Sequence, residues 1–317
     1  VISLYRLETI ADIVNGKLHG NGYIQIINIY TDTRSSRQHA ALFIAIKTAK
    51  NNGNTFVPQA INQGTLAVLV SDKPKIDCNY ILVKDTLEAL QKLAKHHRSE
   101  FNIPLLAITG SNGKTIVKEW VSTLLNEKYV VCKSPKSYNS QIGVPLSLWK
   151  LGTNHTVGVF EAGISESDEM GNLSEMIRPT IGIFTHLGDS HSANFDSVEQ
   201  KLHEKLKLFA YCDIIVCSTR QQEVISAIGK LNKKTFTWGD DSACDLYVAK
   251  SVAGEYILTY LDHNYTLKLN NRDKATIENT FTSIATALTL GLEIGPLLKR
   301  VNQLPTIDMR LQQVEGT

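Results

Sequence analysis

The stretch Thr109-Gly110-Ser111-Asn112-Gly113-Lys114-Thr115 limits what this chain can fold into more than any other part of it. The apolar run Leu105-Leu106-Ala107-Ile108 precedes it, and afterwards Ile116, Val117, Trp120, Val121, Leu124 and Leu125 fall on one helical stripe. Strand, glycine loop and helix in that order form a phosphate cradle. Glycines let backbone N–H groups turn inward, the helix start adds positive potential, Lys114 reaches β- and γ-phosphates, and the Thr115 hydroxyl suits Mg2+. The longer common motif has glycine where Ile108 stands, so this is a shortened G-x-x-G-K-T form. A glycine-rich turn beside an exposed lysine is the bland alternative.

Such a loop belongs to a parallel sheet, and the rest of the chain agrees. Val157-Gly158-Val159-Phe160, Ile181-Gly182-Ile183-Phe184-Thr185 and Ile214-Ile215-Val216-Cys217 are strand-length apolar runs that alternate with helical segments. From Leu246 to Leu269 the period becomes two, with Gly254 and Asp262-His263-Asn264 as turns, which predicts an antiparallel edge. Helices return through Ile277, Phe281, Ile284, Ala285 and Leu288, and after Pro296. Upstream, Ile24 to Ile29 and Leu66 to Val70 read as strands, and Asp85 caps a helix carrying Leu87, Leu90, Leu93 and Ala94. His96, His97 and Arg98 at that helix end read as dipole-capping cations rather than metal ligands, and Ser99 to Pro104 as a polar linker. The fold expected is α/β: an N-terminal α/β domain over residues 1–98, then a doubly wound, mostly parallel P-loop domain with an antiparallel edge over 99–304. The chain's 317 residues fit two domains at about 150 residues each, leaving 305–317 as the start of a third.

Composition removes other classes. The net charge is +2 with no basic block, so neither nucleic acid nor an anionic membrane is a partner. Five cysteines without a C-x-x-C pair predict reduced thiols rather than a disulfide framework. No run reaches the roughly 18 apolar residues of a membrane span and no leader is evident, which points to the cytoplasm.

Ligands of open parallel sheets bind beyond the carboxyl ends of the strands. Glu161 directly follows one strand and reads equally as a Mg2+ ligand or a plain strand-end acid. His186-Leu187-Gly188-Asp189-Ser190-His191 follows another, either as solvated surface or as a metal or phosphate site. By themselves Asp32 and Arg34 are an ordinary polar turn, and Lys201, Lys205 and Lys207 a solvated basic face.

The P-loop, Tyr138-Asn139-Ser140-Gln141-Ile142-Gly143-Val144-Pro145, Glu161-Ala162-Gly163 and Gly188 to His191 together resemble the ATP-dependent Mur ligases of peptidoglycan synthesis. Within them, the Asn139–Pro145 stretch is most similar to the branch that adds D-alanyl-D-alanine to UDP-MurNAc-tripeptide, and Tyr138 to Gln141 resembles versions fused to an alanine racemase. The resemblance covers essentially the whole chain. It implies ATP and two Mg2+ ions as cofactors, and a monomer as the working form. For the nucleotide it implies Gly110, Ser111, Asn112, Gly113, Lys114, Thr115, Asn279 and Arg310. It gives Thr115 and Glu161 to one metal, and His191 with a carbamylated Lys205 to the other, with Lys114, His191 and Lys205 as the catalytic set. It turns Thr31, Asp32, Thr33, Arg34, Lys47 and Asn139 into contacts for the UDP-sugar substrate. It also implies that residues 305–317 open a domain that the ligase needs, so that this chain alone would not complete catalysis. Departures from the pattern are His186 for Asn, Asn54 for His, Glu278 for His, and Ile116 for a second hydroxyl residue.

Overall fold

A computed structural model describes residues 4–34, 39–49, 51–188, 195, 197–269 and 273–305. The first part contains β1 (Tyr5–Arg6), α1 (Leu7–Val14), β2 (Lys17–His19), β3 (Gln25–Ile26), β4 (Asn28–Tyr30), β5 (Ala41–Ile44), α2 (Val57–Asn62), β6 (Ala67–Val70), β7 (Tyr80–Leu82) and α3 (Thr86–Ser99). Strands β4 to β7 are parallel neighbours, with β2 antiparallel on the far edge of β7. The run expected as one strand from Ile24 to Ile29 is instead two. Strand β3 pairs with β1 in a separate ribbon, while β4 joins the five-stranded sheet. The break falls at Ile27, whose N–H and that of Asn28 both donate to Ala40 O, and whose carbonyl accepts the Trp149 indole N–H at 2.8 Å. A buried indole must place its proton, and here it takes a carbonyl that a continuous ladder would need.

The second part contains β8 (Leu105–Thr109), α4 (Lys114–Leu125), β9 (Val131–Lys133), α5 (Gly143–Leu148), β10 (Val157–Glu161), α6 (Glu169–Ile177), β11 (Ile181–Phe184), α7 (Val198–Leu206), β12 (Ile214–Ser218) and α8 (Gln222–Gly229). It continues with β13 (Lys234–Gly239), β14 (Leu246–Lys250), β15 (Tyr256–Tyr260), β16 (His263–Leu267), α9 (Lys274–Thr289) and α10 (Ile294–Val301). These nine strands form one sheet ordered β16-β15-β14-β13-β12-β11-β8-β10-β9, parallel from β9 through β14 and antiparallel beyond. Alternation along β8 sends Leu106 and Ile108 to one apolar layer, with Val117, Val121 and Phe281, and Leu105 and Ala107 to the other, with Leu173 and Phe209. Strand β8 lies between β10 and β11, the point where the winding reverses, so the loops after these three strands converge.

In this sheet two strands were not legible: β9 is only three residues long, and β13 alternates lysine and threonine with aromatics. The β15–β16 turn is centred on Leu261-Asp262, with φ of 50° and 63°, rather than on Asp262-His263-Asn264; His263 already pairs with Tyr260. A two-residue turn with positive φ matches strand twist, which explains the shift. All five cysteines are free, and burial pushes the thiols of Cys132, Cys212 and Cys217 up to about 12. Among the described residues no helix is long and apolar enough to cross a membrane.

The capping role of His97 and Arg98 is overturned, while the expected polar linker is a stretch without helix or strand over 100–104 in which Phe101 is buried. Asp85 does cap α3, accepting from the N–H groups of Leu87 and Glu88. At the other end, however, His97 is fully buried between Tyr5 and Trp149, and the α3 face packs on α5 and α6. The Leu151 carbonyl can only accept, so His97 Nε2 carries the proton at 3.1 Å and Nδ1 accepts from the Tyr5 hydroxyl at 3.0 Å. Arg98 donates to the carbonyls of Ile177, Phe101 and Arg178, and Phe101 is buried. The end of α3 is therefore an interface with the second part.

That interface is acid-sensitive. Burial, with a smaller contribution from the neighbouring His96, lowers His97 to about 4; the Leu151 hydrogen bond opposes this. Between pH 6.5 and 4 the unfolded chain binds a proton there that the folded chain does not, so stability falls as pH falls through this window. The loss is on the order of 3 kcal/mol once pH is below both values. Thermal melts from pH 7 to 4 should show a drop that His97→Gln flattens; equal slopes in the two proteins would refute it. The groups facing His97 are Tyr5, pushed up to about 12, and His96, which pairs with Glu100 at 3.8 Å.

Candidate active site

The loop after β8 needs two glycines for steric reasons. Gly110 has φ +142° and a Cβ there would stand 2.1 Å from Thr185 Oγ1; Gly113 has φ +83° and a Cβ would stand 2.3 Å from Asn279 Oδ1. The end of β11 holds the loop in place. Ser111 N–H donates to His186 O at 2.6 Å, and the Thr185 hydroxyl donates to Asn112 O at 2.6 Å. Helix α4 then starts without a capping side chain, leaving its first N–H groups to an anion. Lys114 Nζ donates to Gly110 O at 2.8 Å and Ser111 O at 3.1 Å, and burial is the main cause lowering its pKa. The hydroxyls of Thr109 and Ser111 are buried without a hydrogen-bond partner among the described residues. A buried polar group left so is costly unless a ligand completes it.

Glu161, at the end of β10, is fully buried and accepts from the Thr115 hydroxyl at 3.0 Å. This favours the ligand reading over the strand-end acid. Its other oxygen lies 3.2 Å from Lys118 Nζ, a fully buried ammonium that the sequence reading did not single out. The available signal was spacing: Lys118 is one helical turn beyond Lys114 on α4. Burial raises Glu161, opposed by Lys118, Thr115 and Lys114. Mg2+ is typically held by one or two carboxylates, a hydroxyl and substrate phosphates, so Thr115 and Glu161 fit it without a full protein cage. Among the described residues no group of three His, Cys, Asp or Glu side chains could hold a metal alone.

Helix α7 delivers lysines from the opposite wall. Ser197 caps it by accepting from Gln200 N–H, and Lys201 and Lys205, one turn apart, are both buried. The solvated-face reading holds only for Lys207, which is half-exposed and pairs with Asp168 and Glu204. Lys205 Nζ donates to Gly110 O at 3.2 Å. Burial, followed by repulsion from Lys114 and Lys201, lowers Lys205 to about 7. Lys114, Lys201 and Lys205 line a cavity of about 350 Å³ with Gly110, Ser111 and Asn139. Asn139 thus faces the nucleotide loop, and its carbonyl accepts from Gly163 N–H at 2.9 Å. Asn279 is buried against Gly113, while the neighbouring Glu278 lies 3.5 Å from His186. The expected contacts His191 and Arg310 lie outside the described residues.

Thr31, Asp32, Thr33 and Arg34 line a second cavity, of about 550 Å³, with Phe56, Gln59 and Ile142, which the sequence reading did not place there. Arg34 grips Asp32 through Nη2 at 2.8 Å and Nε at 3.0 Å, holding the carboxyl below its ordinary range. Lys47 pairs with Asp72 and is not among the lining residues. Only two residues lie between Asn139 in the first cavity and Ile142 in the second, so one segment borders both.

Comparison with known proteins gives this geometry a family. Residues 108–287, more than half of the chain, match the Mur ligase middle domain. The UDP-N-acetylmuramoyl-tripeptide--D-alanyl-D-alanine ligase of Bacillus subtilis is 29% identical over 98% of this chain and 69% of its own length. The Synechocystis ligase of the same name is 35% identical over 59% of this chain and 42% of its own length. Among solved structures, MurF from Acinetobacter baumannii superposes with a TM-score of 0.86 at 20% identity, covering all of this chain and 72% of that one. MurF from Thermotoga maritima in complex with ADP gives 0.75 at 23% identity, over 88% of this chain and 66% of that one. The P-loop between β8 and α4, the carboxylate facing it from β10 and the matched middle domain lead to one conclusion: this chain belongs to the Mur ligase family.

Proposed function

We infer that this chain carries the UDP-sugar-binding and ATP-binding parts of a MurF-type ligase, which joins D-alanyl-D-alanine to UDP-MurNAc-tripeptide in peptidoglycan precursor synthesis. The observation that supports it best is the shared segment 139–142, which borders both the phosphate-loop cavity and the first-domain cavity. In this reading the sugar-linked peptide from one cavity and the nucleotide in the other meet beside that segment. The tripeptide carboxylate attacks the γ-phosphorus of ATP as the bond to ADP breaks, and the dipeptide amine then displaces phosphate from the acyl phosphate, leaving an amide. In such phosphoryl transfer the protein supplies positioning and positive charge rather than covalent chemistry. Inward N–H groups of the loop orient the β- and γ-phosphates, and the Lys114 ammonium leaves its two carbonyls to meet the charge on the transferred group. Asn139, which lines the phosphate-loop cavity, and Asn279, beside Gly113, would border the acyl and nucleoside sides. The Mg2+ sites would be Thr115 with Glu161, and Lys205 with His191; the ions neutralise phosphate charge when bound.

Lys205 would serve as a carbamate. Its amine is buried and titrates near 7, so the neutral form that attacks CO2 is accessible at neutral pH. The amine adds to the carbon of CO2 and loses one proton, exchanging a cation for an oxygen ligand suited to a hard ion. The reaction belongs, in this reading, to the cytoplasm; nucleotide-linked substrates and cysteines without disulfides support it.

Incubation of the protein with UDP-MurNAc-tripeptide, D-alanyl-D-alanine and ATP should yield UDP-MurNAc-pentapeptide, ADP and phosphate, identified by mass. ATP cleavage with a free amino acid in place of the dipeptide, and no pentapeptide, would replace this reading with a different amide ligase of the family.

A further inference from the structure

Lys118 is the largest fully buried charged side chain among the described residues, and among them the polar groups beside its ammonium are acceptors. Its ammonium donates to Ser134 O at 3.0 Å and to Lys136 O, and lies 2.8 Å from Glu119 Oε1 and 3.2 Å from Glu161 Oε1. An ammonium has three protons, and two carbonyls with Glu119 consume them. Consistent with this, Glu161 Oε1 is buried beside the ammonium without a hydrogen-bond partner among the described residues. Lys118 thus orients the carboxylate electrostatically without capping it.

The two carbonyls belong to the turn that follows β9. Lys136 there has φ +48°, a left-handed conformation that a lysine adopts only when its surroundings impose it. The Lys136 carbonyl is one of the two that accept from Lys118. The turn closes through Tyr138 N–H to Pro135 O and continues into Asn139, which lines the nucleotide cavity. The same turn grips β10 directly, since Glu161 N–H donates to the Ser134 hydroxyl at 3.2 Å. Burying a lone ammonium is expensive, and an apolar side chain of equal volume would stabilise the fold as well or better. What an apolar residue cannot do is hold a carboxylate and two carbonyls at one point.

We propose that Lys118 is a positioning residue for the phosphoryl-transfer site, fixing the metal carboxylate Glu161 and the Ser134–Asn139 turn as one unit against the P-loop helix. The proposal rests on Glu161 being a metal ligand, as argued above. Removing an outer-shell partner of a metal ligand typically weakens metal binding by about 10- to 100-fold.

The test is a double-mutant cycle read by Mn2+ paramagnetic resonance on the whole chain, with a non-hydrolysable ATP analogue bound. Lys118→Met keeps the stem and removes the charge; it should weaken Mn2+ binding at least tenfold, while metal-free binding of the analogue stays within a few-fold. Glu161→Gln should weaken Mn2+ binding by itself, and adding Lys118→Met to it should cost less than a further twofold, because the lysine acts through that carboxylate. Where Lys118→Met does not fold, Lys118→Gln, whose amide still donates to one carbonyl, replaces it. Unchanged Mn2+ binding in the Lys118 variants beside a loss in Glu161→Gln overturns the proposal. Equal losses in both backgrounds also overturn it, since they describe a general structural role. Unchanged binding in Glu161→Gln removes the metal reading, and the proposal with it.

Discussion

Lys114→Met should lose at least about 10³-fold in kcat/KM for pentapeptide formation, equivalent to about 4 kcal/mol of transition-state stabilisation. The reason is geometric. Lys114 is a part-buried ammonium at the start of α4, held by the carbonyls of Gly110 and Ser111 in the loop whose N–H groups would surround the phosphates. Methionine fills the same space, so the loop between Gly110 and Gly113 should persist and nucleotide should still bind, though more weakly. Lys114→Arg should not restore the rate, because a planar fork cannot replace a compact point charge in a confined pocket. Quantifying UDP-MurNAc-pentapeptide by mass decides it; turnover within tenfold of the unaltered protein would remove Lys114 from the chemistry.

Lys205→Ala should be nearly as severe, with a loss of about 10²-fold or more, since an oxygen ligand to the second metal would be missing. Its signature separates it from a packing defect. Short carboxylates such as acetate should restore part of the activity to Lys205→Ala and none to Lys114→Met, because only the former lacks an oxygen donor. In the unaltered protein, removing dissolved CO2 should lower activity, and bicarbonate should return it. Activity indifferent to CO2, with Lys205 unmodified in the intact-protein mass, would leave Lys205 a buried amine and nothing more.

The strong sequence signals were those with a local cause. The glycines at 110 and 113, the lysine, the threonine and the flanking strand and helix are consecutive in the chain, and their spacing carries the physics of phosphate binding. Apolar runs likewise marked the interior strands β8, β10, β11 and β12, because a strand buried on both faces has to be apolar throughout. The edge strand β9 and the alternating β13 lack that signal. The single run from Ile24 to Ile29 could not reveal that an indole 122 residues away would claim the Ile27 carbonyl.

Lysines show the limit most clearly. Lys201 and Lys205 on α7 and Lys207 just past its end read alike by composition, yet two are buried at the phosphate loop and one is half-exposed and ion-paired. Lys118 gave no sign of burial beyond its spacing from Lys114. A lysine is ordinarily a surface residue, and what buries one is a set of acceptors from other elements: here Ser134, Lys136 and Glu161, brought beside α4 by β9 and β10. His97 is the same case, a helix-end cation by sequence and a neutral buried hinge pin between Tyr5 and the Leu151 carbonyl in the fold.

The sequence by itself therefore determined the phosphate loop, the doubly wound sheet around it and the residue types able to meet an anion, because hydrophobic period and glycine spacing act within a few residues. Only the tertiary structure decided which charges are buried, which carboxylate faces Thr115 and how one segment comes to border two cavities. Desolvation and convergence of strand ends are properties of the assembled sheet, and neither leaves a mark on a single stretch of chain.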